Sequence, residues 1–88
     1  MKLVIGEVEG KLLNILDHHE DGCRTSAMVK EGSVKSGSAS QALSSMISKG
    51  WVDRREEGSD QDTIVLYSLT PLGKNALQAW RVYFGKAI

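Results

Sequence analysis

The chain has 88 residues, and its 11 Lys and Arg balance 11 Asp and Glu, so the formal net charge is zero. Its 41% hydrophobic and 25% charged residues are typical of a globular protein, and the length suits one domain, residues 1–88. No apolar run approaches the roughly 20 residues that a membrane span needs, and residues 1–5 are too short for a secretory signal. The chain has one cysteine, which excludes an internal disulfide. We therefore expect a cytoplasmic protein that does not associate with membranes and has no overall electrostatic attraction to nucleic acid.

A first helix is predicted over residues 7–19. Gly10 lies inside it and costs up to about 1 kcal/mol relative to Ala. His18 and His19 fall in the last turn, where an imidazolium favours the helix dipole. The apolar stripe of this helix consists of Val8, Leu12, Ile15, Leu16 and His19, with Leu13 on its flank.

A second, shorter helix is predicted over residues 25–31, with Thr25 as its N-cap and Gly32 as its stop signal. Cys23 and Arg24 before it are expected to be extended and to form a short strand. Residues 32–37 are rich in glycine and serine, which is typical of a turn.

A third helix is predicted over residues 38–49. Ser38 and Gln41 have the spacing of a capping box at its start, and Gly50 suits a left-handed exit at its end. Its buried stripe is expected to consist of Ala39, Ala42, Leu43, Met46 and Ile47.

The opposite face of this third helix carries short neutral polar side chains where a solvated helix normally carries Glu and Lys. The segment around it, residues 22–50, is also the mildly basic part of the chain, with four basic residues against one acidic residue. Short side chains let a helix lie close to another polar surface, so the helix is a candidate recognition helix. The alternatives are a solvated helix of poor propensity, or a face that packs on another protein.

After Gly50 the apolar period changes from about 3.6 to 2, which predicts a two-stranded hairpin, or wing, over residues 51–69. Trp51 is expected in the core. Thr70 and Pro71 form a strong helix start, and a last helix is predicted over residues 71–84.

This order of elements predicts an α+β fold, a winged helix-turn-helix: three helices, a two-stranded wing hairpin plus a short strand, and a C-terminal helix. Residues 43–54 (LSSMISKGWVDR) resemble the segment that joins recognition helix to wing in MarR- and PadR-type winged-helix regulators. Residues 67–77 (YSLTPLGKNAL) are similar to the segment that closes the wing in these families, and the Leu-Thr-x-x-Gly-Lys run is the more specific of the two motifs.

The resemblance implies a dimeric transcriptional regulator that reads a short palindromic site in double-stranded DNA with residues 38–49. Gln pairs well with adenine, and Ser hydroxyls bond to any base edge. The implied base-reading residues are Ser38, Ser40, Gln41 and Ser44, with Ser45 at the edge. The implied phosphate contacts are Thr25, Lys30, Lys35, Ser36 and Lys49, with Arg54 and Arg55 at the base of the wing.

The chain departs from the family pattern at the wing, where residues 60–63 (DQDT) lack the arginine of the usual Asp-x-Arg segment. The acidic residues Glu56, Glu57, Asp60 and Asp62 make the tip of the wing negative, so phosphate should repel it. The chain also lacks a long arm after the wing. If a dimer forms, the interface is expected to use Trp80, Tyr83, Phe84 and Ile88, and the alternative for these aromatic residues is a core against the first helix.

The remaining reactive side chains favour structural roles. Cys23 is expected to be a small buried hydrophobe, with a thiol sensor as the alternative. The adjacent His18 and His19 point roughly 100° apart on a helix, so a shared metal ion is not expected. No catalytic motif emerges, and we predict neither enzyme activity nor a cofactor. The rival function is a protein-interaction module that uses the acidic wing and the aromatic last helix.

Overall fold

The computed structural model describes residues 6–58 and 61–85, with side chains in these ranges up to Val82. The chain order is three helices, a hairpin and a last helix, as the sequence predicts. The elements are α1 (Glu7–Asp17), α2 (Thr25–Gly32), α3 (Ser36–Ser48), β1 (Val52–Glu57), β2 (Ile64–Leu69) and α4 (Pro71–Gly85).

Helix α1 ends at Asp17, two residues before the predicted end at His19. His18 is the C-cap, and its Nδ1 lies 2.8 Å from the carbonyl oxygen of Asn14. This bond satisfies a terminal carbonyl that has no partner within the helix. His19 is therefore outside the helix, and its Nε2 contacts the Glu31 carboxylate of α2 at 3.1 Å.

The starts of α2 and α3 correct three capping predictions. Arg24, not Thr25, is the N-cap of α2, which ends at Gly32 with Ser33 in the left-handed region at φ 52°. Lys35 is the N-cap of α3, so this helix begins at Ser36, two residues before the predicted N-cap Ser38. Neither helix has a side-chain capping hydrogen bond, and the capping box predicted for Ser38 is absent.

The C-terminal end of α3 agrees with the sequence. Gly50 has φ 78°, and its N–H donates to the carbonyl of Ile47. The Trp51 N–H donates to the carbonyl of Met46, which completes a Schellman motif. The last carbonyls of the helix thus have backbone partners, and Trp51 is carried into the core as predicted.

The wing is an antiparallel hairpin in which Val52 pairs with Leu69 and Glu57 with Ile64. Its strands are 52–57 and 64–69, which lie within the predicted range 51–69. Cys23 bridges to Tyr67 through two backbone hydrogen bonds of 2.9 Å, and this bridge is the predicted short strand.

The start of α4 explains the Leu-Thr-x-x-Gly run. The Thr70 hydroxyl accepts a hydrogen bond from the Gly73 N–H at 3.0 Å, as an N-cap does. Gly73 lies so close to the backbone of Trp51 that a Cβ would overlap the Trp51 carbonyl. The glycine is therefore needed where α4 packs on the beginning of the hairpin.

The core lies where all four helices meet the base of the hairpin. Gly10 is buried, and the indole of Trp80 occupies the place that a Cβ on Gly10 would take. Ile47, predicted on the buried stripe of α3, is 38% exposed and lies outside this core. The buried hydrophobic residues are Leu12, Leu13, Leu16, Cys23, Met28, Ala39, Ala42, Leu43, Met46, Trp51, Val52, Ala76 and Leu77. Within the described residues, no helix is both long and apolar enough to cross a membrane.

Candidate nucleic-acid interface

Helix α3 has two chemically different faces. Ala39, Ala42, Leu43 and Met46 are buried and fix the inner face against α1 and α2. The outer face is exposed, and its centre follows the row Gly37, Gln41, Ser44 and Ser48, with Ser36, Ser38 and Ser40 on its flanks.

Four of the five predicted base-reading residues, Ser38, Ser40, Gln41 and Ser44, are exposed on this surface. Because no side chain caps α3, Gln41 and Ser38 are not engaged with each other, and both remain available to an external partner. Ser45 is different: it is half-buried, and its Oγ faces the Glu9 carboxylate of α1 at 3.5 Å.

Ser48 and Gly37 also lie on this face. Ser48 belongs to the polar side predicted from the sequence but was given no base-reading role, and Gly37 was predicted to lie in the preceding turn. Both lie on the row through Gln41 and Ser44, since positions 37, 41, 44 and 48 share one side of a helix. Placing the start of α3 at Ser36 is what brings Gly37 into the helix. A Cβ on Gly37 would meet nothing within 4 Å, so no contact within the described chain requires glycine there.

Two of the predicted phosphate-contact lysines are free. Lys30 in α2 and Lys35 before α3 are exposed, and neither has a carboxylate within ion-pair distance among the described residues. The same holds for Arg24, the exposed N-cap of α2, which the sequence analysis counted in the basic segment but did not assign to the site. Three unpaired cations thus lie along the helix-turn-helix, together with Thr25 and Ser36 at the starts of its two helices.

The other three predicted cations are paired. Lys49 Nζ lies 3.0 Å from Glu9 and 4.5 Å from the ring centre of Trp51. Arg54 pairs with Glu56 at 2.9 Å, and Arg55 pairs with Glu57 at 2.8 Å. These three side chains reach a phosphate only by leaving their carboxylates.

The two arginine pairs lie on opposite faces of β1, because each joins positions two apart along the strand. Hydrogen bonds from Arg54 to Glu56, and then to Tyr67, raise the pKa of the Arg54 guanidinium above its usual value. Arg55 also donates to the carbonyl of Asp21 at 2.9 Å. Two of the four acidic residues predicted to make the wing negative are therefore neutralised within the wing.

The predicted dimer residues fall in or after α4. Trp80 packs against Gly10 of α1 and joins the core of its own chain, as the alternative interpretation holds. The side chains of Tyr83 and Phe84 and the whole of Ile88 lie outside the described residues. Val82, on the same helix, is 61% exposed.

The cluster of His, Glu and Cys near the end of α1 is divided among separate contacts. His18 and His19 bond to Asn14 and Glu31, and Cys23 is buried. Burial, and then the charge of Glu31, raise the pKa of the Cys23 thiol, which disfavours a reactive thiolate. Among the described residues, no three His, Cys, Asp or Glu side chains are placed to hold a metal ion.

Solved structures of other proteins share this arrangement of helices and wing. A PadR family transcription regulator from hypervirulent Clostridium difficile R20291 aligns with a TM-score of 0.81 at 21% identity, over 93% of this chain and 91% of that one. The fold is that of a winged-helix regulator.

Two DNA complexes show the same fold. A mutant MarR from E. coli complexed with operator DNA aligns with a TM-score of 0.74 at 25% sequence identity. An S. aureus MepR mutant bound to an oligodeoxyribonucleotide aligns with a TM-score of 0.76 at 24% sequence identity. Each covers 94% of this chain, which spans only 58% and 60% of their lengths. No protein-family model and no curated protein matches the sequence.

Proposed function

We propose that the protein is a sequence-specific DNA-binding transcriptional regulator that places α3 in the major groove. The observation that carries the proposal is the outer face of α3, a continuous exposed row of hydroxyl and amide groups with no bulky side chain. The MarR and MepR complexes with DNA, which share the fold, support a DNA-binding role.

The chemistry of the row suits base edges. Gln41 has an amide that both donates and accepts, which is the pattern that adenine presents in the major groove. Ser38, Ser40 and Ser44 are short enough to let the helix axis come close, and their hydroxyls bond to any base. Specificity is assigned to this row.

Phosphate contacts are assigned first to Lys30 and Lys35, with Thr25 and Ser36 beside them. These groups require no rearrangement, because the lysines have no ion-pair partner among the described residues. Arg54 and Arg55 contribute only after exchanging Glu56 and Glu57 for phosphate. With so few free cations, about three to five phosphates per protomer should set the salt dependence of binding.

A homodimer on a palindromic site is part of the proposal. The last helix is its support, because Val82 is exposed there and Tyr83 and Phe84 follow it, with Ile88 near the end of the chain. Large aromatic residues are enriched at the centres of interfaces. Light scattering coupled to size exclusion gives the mass of the species, and a monomer at binding concentrations removes this part of the proposal.

The test is a polarisation titration of genomic DNA fragments, followed by variants on the fragment that binds best. Gln41→Ala should weaken specific binding by about 1–3 kcal/mol and relax the preference at one base pair. Gln78→Ala is the matched control, since Gln78 is also an exposed helical glutamine but lies on α4, and light scattering should give this variant the same mass as the wild type. If no fragment binds better than random duplex at low salt, the protein is not a DNA reader.

The proposal places the protein in the cytoplasm, where the DNA is accessible, and gives it no enzyme activity and no cofactor. The rival protein-interaction module relies on an acidic wing. Pairing of Glu56 with Arg54 and of Glu57 with Arg55 removes part of the charge on which that function depends.

A further inference from the structure

Glu9 of α1 accepts hydrogen bonds from three donors, two of which lie at the end of the recognition helix α3. Its Oε2 accepts hydrogen bonds from Lys49 Nζ at 3.0 Å and from Ser45 Oγ at 3.5 Å, both in or next to the last turn of α3. Its Oε1 accepts from the N–H of Gly6, which holds the carboxylate at the start of its own helix. Lys49 in turn lies over the Trp51 ring at 4.5 Å.

This contact differs from the other ion pairs near the proposed DNA surface. The Glu9 side chain is 15% exposed, whereas those of Glu56 and Glu57 are 55% and 54% exposed. Exposed pairs are weak and well screened, and they exchange readily for another anion. A partly buried carboxylate with three donors is screened less and is held in place before any ligand arrives.

The contact between Glu9 and Lys49 affects DNA binding because of where Lys49 lies. Lys49 is the C-cap of α3, where a cation would otherwise be available to a phosphate beside the major groove. Reaching a phosphate requires it to leave both the carboxylate of Glu9 and the face of the Trp51 ring. Glu9 therefore occupies the site on Lys49 that DNA would use.

We propose that Glu9 sets the strength of DNA binding by acting as an internal substitute for phosphate on Lys49. The C-terminal end of α3 then approaches DNA without a free cation, and the phosphate contacts come from Lys30 and Lys35. This inference rests on the proposed function, and it identifies a residue outside the helix-turn-helix that tunes it.

The salt dependence of DNA affinity tests the proposal. Glu9→Gln keeps the shape of the side chain and releases the charge of Lys49, so the slope of log K against log salt should steepen by about 0.9. This corresponds to about 3.5-fold greater loss of affinity for a fourfold increase in salt. Adding Lys49→Gln to Glu9→Gln should restore the wild-type slope, and Lys49→Gln alone should leave it unchanged.

Glu7→Gln is the matched control. Glu7 lies two residues away in the same first turn and makes an exposed 3.7 Å pair with Lys11, so the substitution changes the net charge equally without touching Lys49. Its slope should remain that of the wild type. A Glu9→Gln slope equal to the Glu7→Gln slope overturns the proposal, as does a slope that falls by about 0.9 in Lys49→Gln alone. If Glu9→Gln fails to fold, the single Lys49→Gln variant decides the question.

A measurement without DNA separates this inference from the proposed function. Limited acetylation of the native protein, quantified per lysine by mass spectrometry, should modify Lys49 several-fold more slowly than Lys35. Glu9→Gln should remove the difference, and Glu7→Gln should not. Equal rates in the wild type show that Glu9 does not restrain Lys49 and overturn this inference. If no DNA fragment binds but Lys49 is still acetylated slowly, the DNA-binding function is wrong and the contact between Glu9 and Lys49 is confirmed.

Discussion

The two ends of α3 are built in opposite ways. At the C-terminal end, a Schellman motif gives the last carbonyls backbone partners, and Lys49 pairs with Glu9 and lies over the Trp51 ring. At the N-terminal end, Lys35 caps the helix without a side-chain hydrogen bond, and Gly37 faces open space.

The C-terminal end of α3 therefore fixes the helix to the rest of the fold, and the N-terminal end is left free to bind a ligand. Groups that are satisfied within the chain contribute to folding but offer little to a ligand, whereas unpaired groups cost stability and keep their bonding capacity. The wing lies between these two cases, since Arg54 and Arg55 have carboxylate partners but both pairs are exposed. The unpaired region runs from α2 to the middle of α3.

The largest expected effect is on the anchored end. Met46→Ala removes a fully buried side chain from the last turns of α3 and should lower the free energy of unfolding by about 2–5 kcal/mol. Ser40→Ala, on the exposed face of the same helix, should stay within about 0.5 kcal/mol of the wild type. Urea unfolding measures both, and similar losses for the two variants would show that the faces of α3 are not distinct.

The next effect distinguishes free from paired cations. Lys35→Gln should weaken binding to a specific fragment about fivefold to tenfold near physiological salt and reduce the salt slope by about 0.9, because a free cation is lost. Arg54→Gln removes the same charge from a paired site and should change affinity less than about twofold. A titration in which Arg54→Gln is the more damaging variant contradicts the division of the interface into free and paired cations.

Two helical glycines should respond in opposite directions. Gly37→Ala fills open space and improves helix propensity, so it should stabilise the fold by up to about 1 kcal/mol. Gly10→Ala places a methyl group where the Trp80 ring packs and should destabilise it by about 1–3 kcal/mol. Thermal melts monitored by circular dichroism measure the stability of both variants. If Gly37→Ala is destabilising, the N-terminal end of α3 is not open to solvent.

The smallest expected effect is on the pH dependence of stability and concerns Cys23, which precedes α2 and bridges to Tyr67 in β2. Its raised pKa in the folded state means that the thiol stabilises the fold below its ordinary pKa of 9.0. This contribution is lost as pH rises above that value, since the unfolded chain then releases the proton first. The stability difference between wild type and Cys23→Ala should therefore shrink between about pH 8 and pH 10. A difference that grows over this range excludes a buried neutral thiol.

Local patterns were sufficient to predict the order of the elements and most of the core. The Ala39–Met46 spacing, the Gly50 exit and the Thr70-Pro71 start are signals within one or two helical turns, and the structure agrees with each. Capping was less predictable. Ser38 and Thr25 suit an N-cap, but the turns place Lys35 and Arg24 at the helix starts instead.

What the sequence determined by itself is the helix-turn-helix with its wing and the polar face of α3, because periodicity and turn residues act over neighbouring positions. What only the tertiary structure decided is which charges remain free. Lys49 meets Glu9 across 40 positions of sequence, and Trp80 fills the space beside Gly10 across 70. Such pairings depend on how the helices pack, and local spacing carries no information about them.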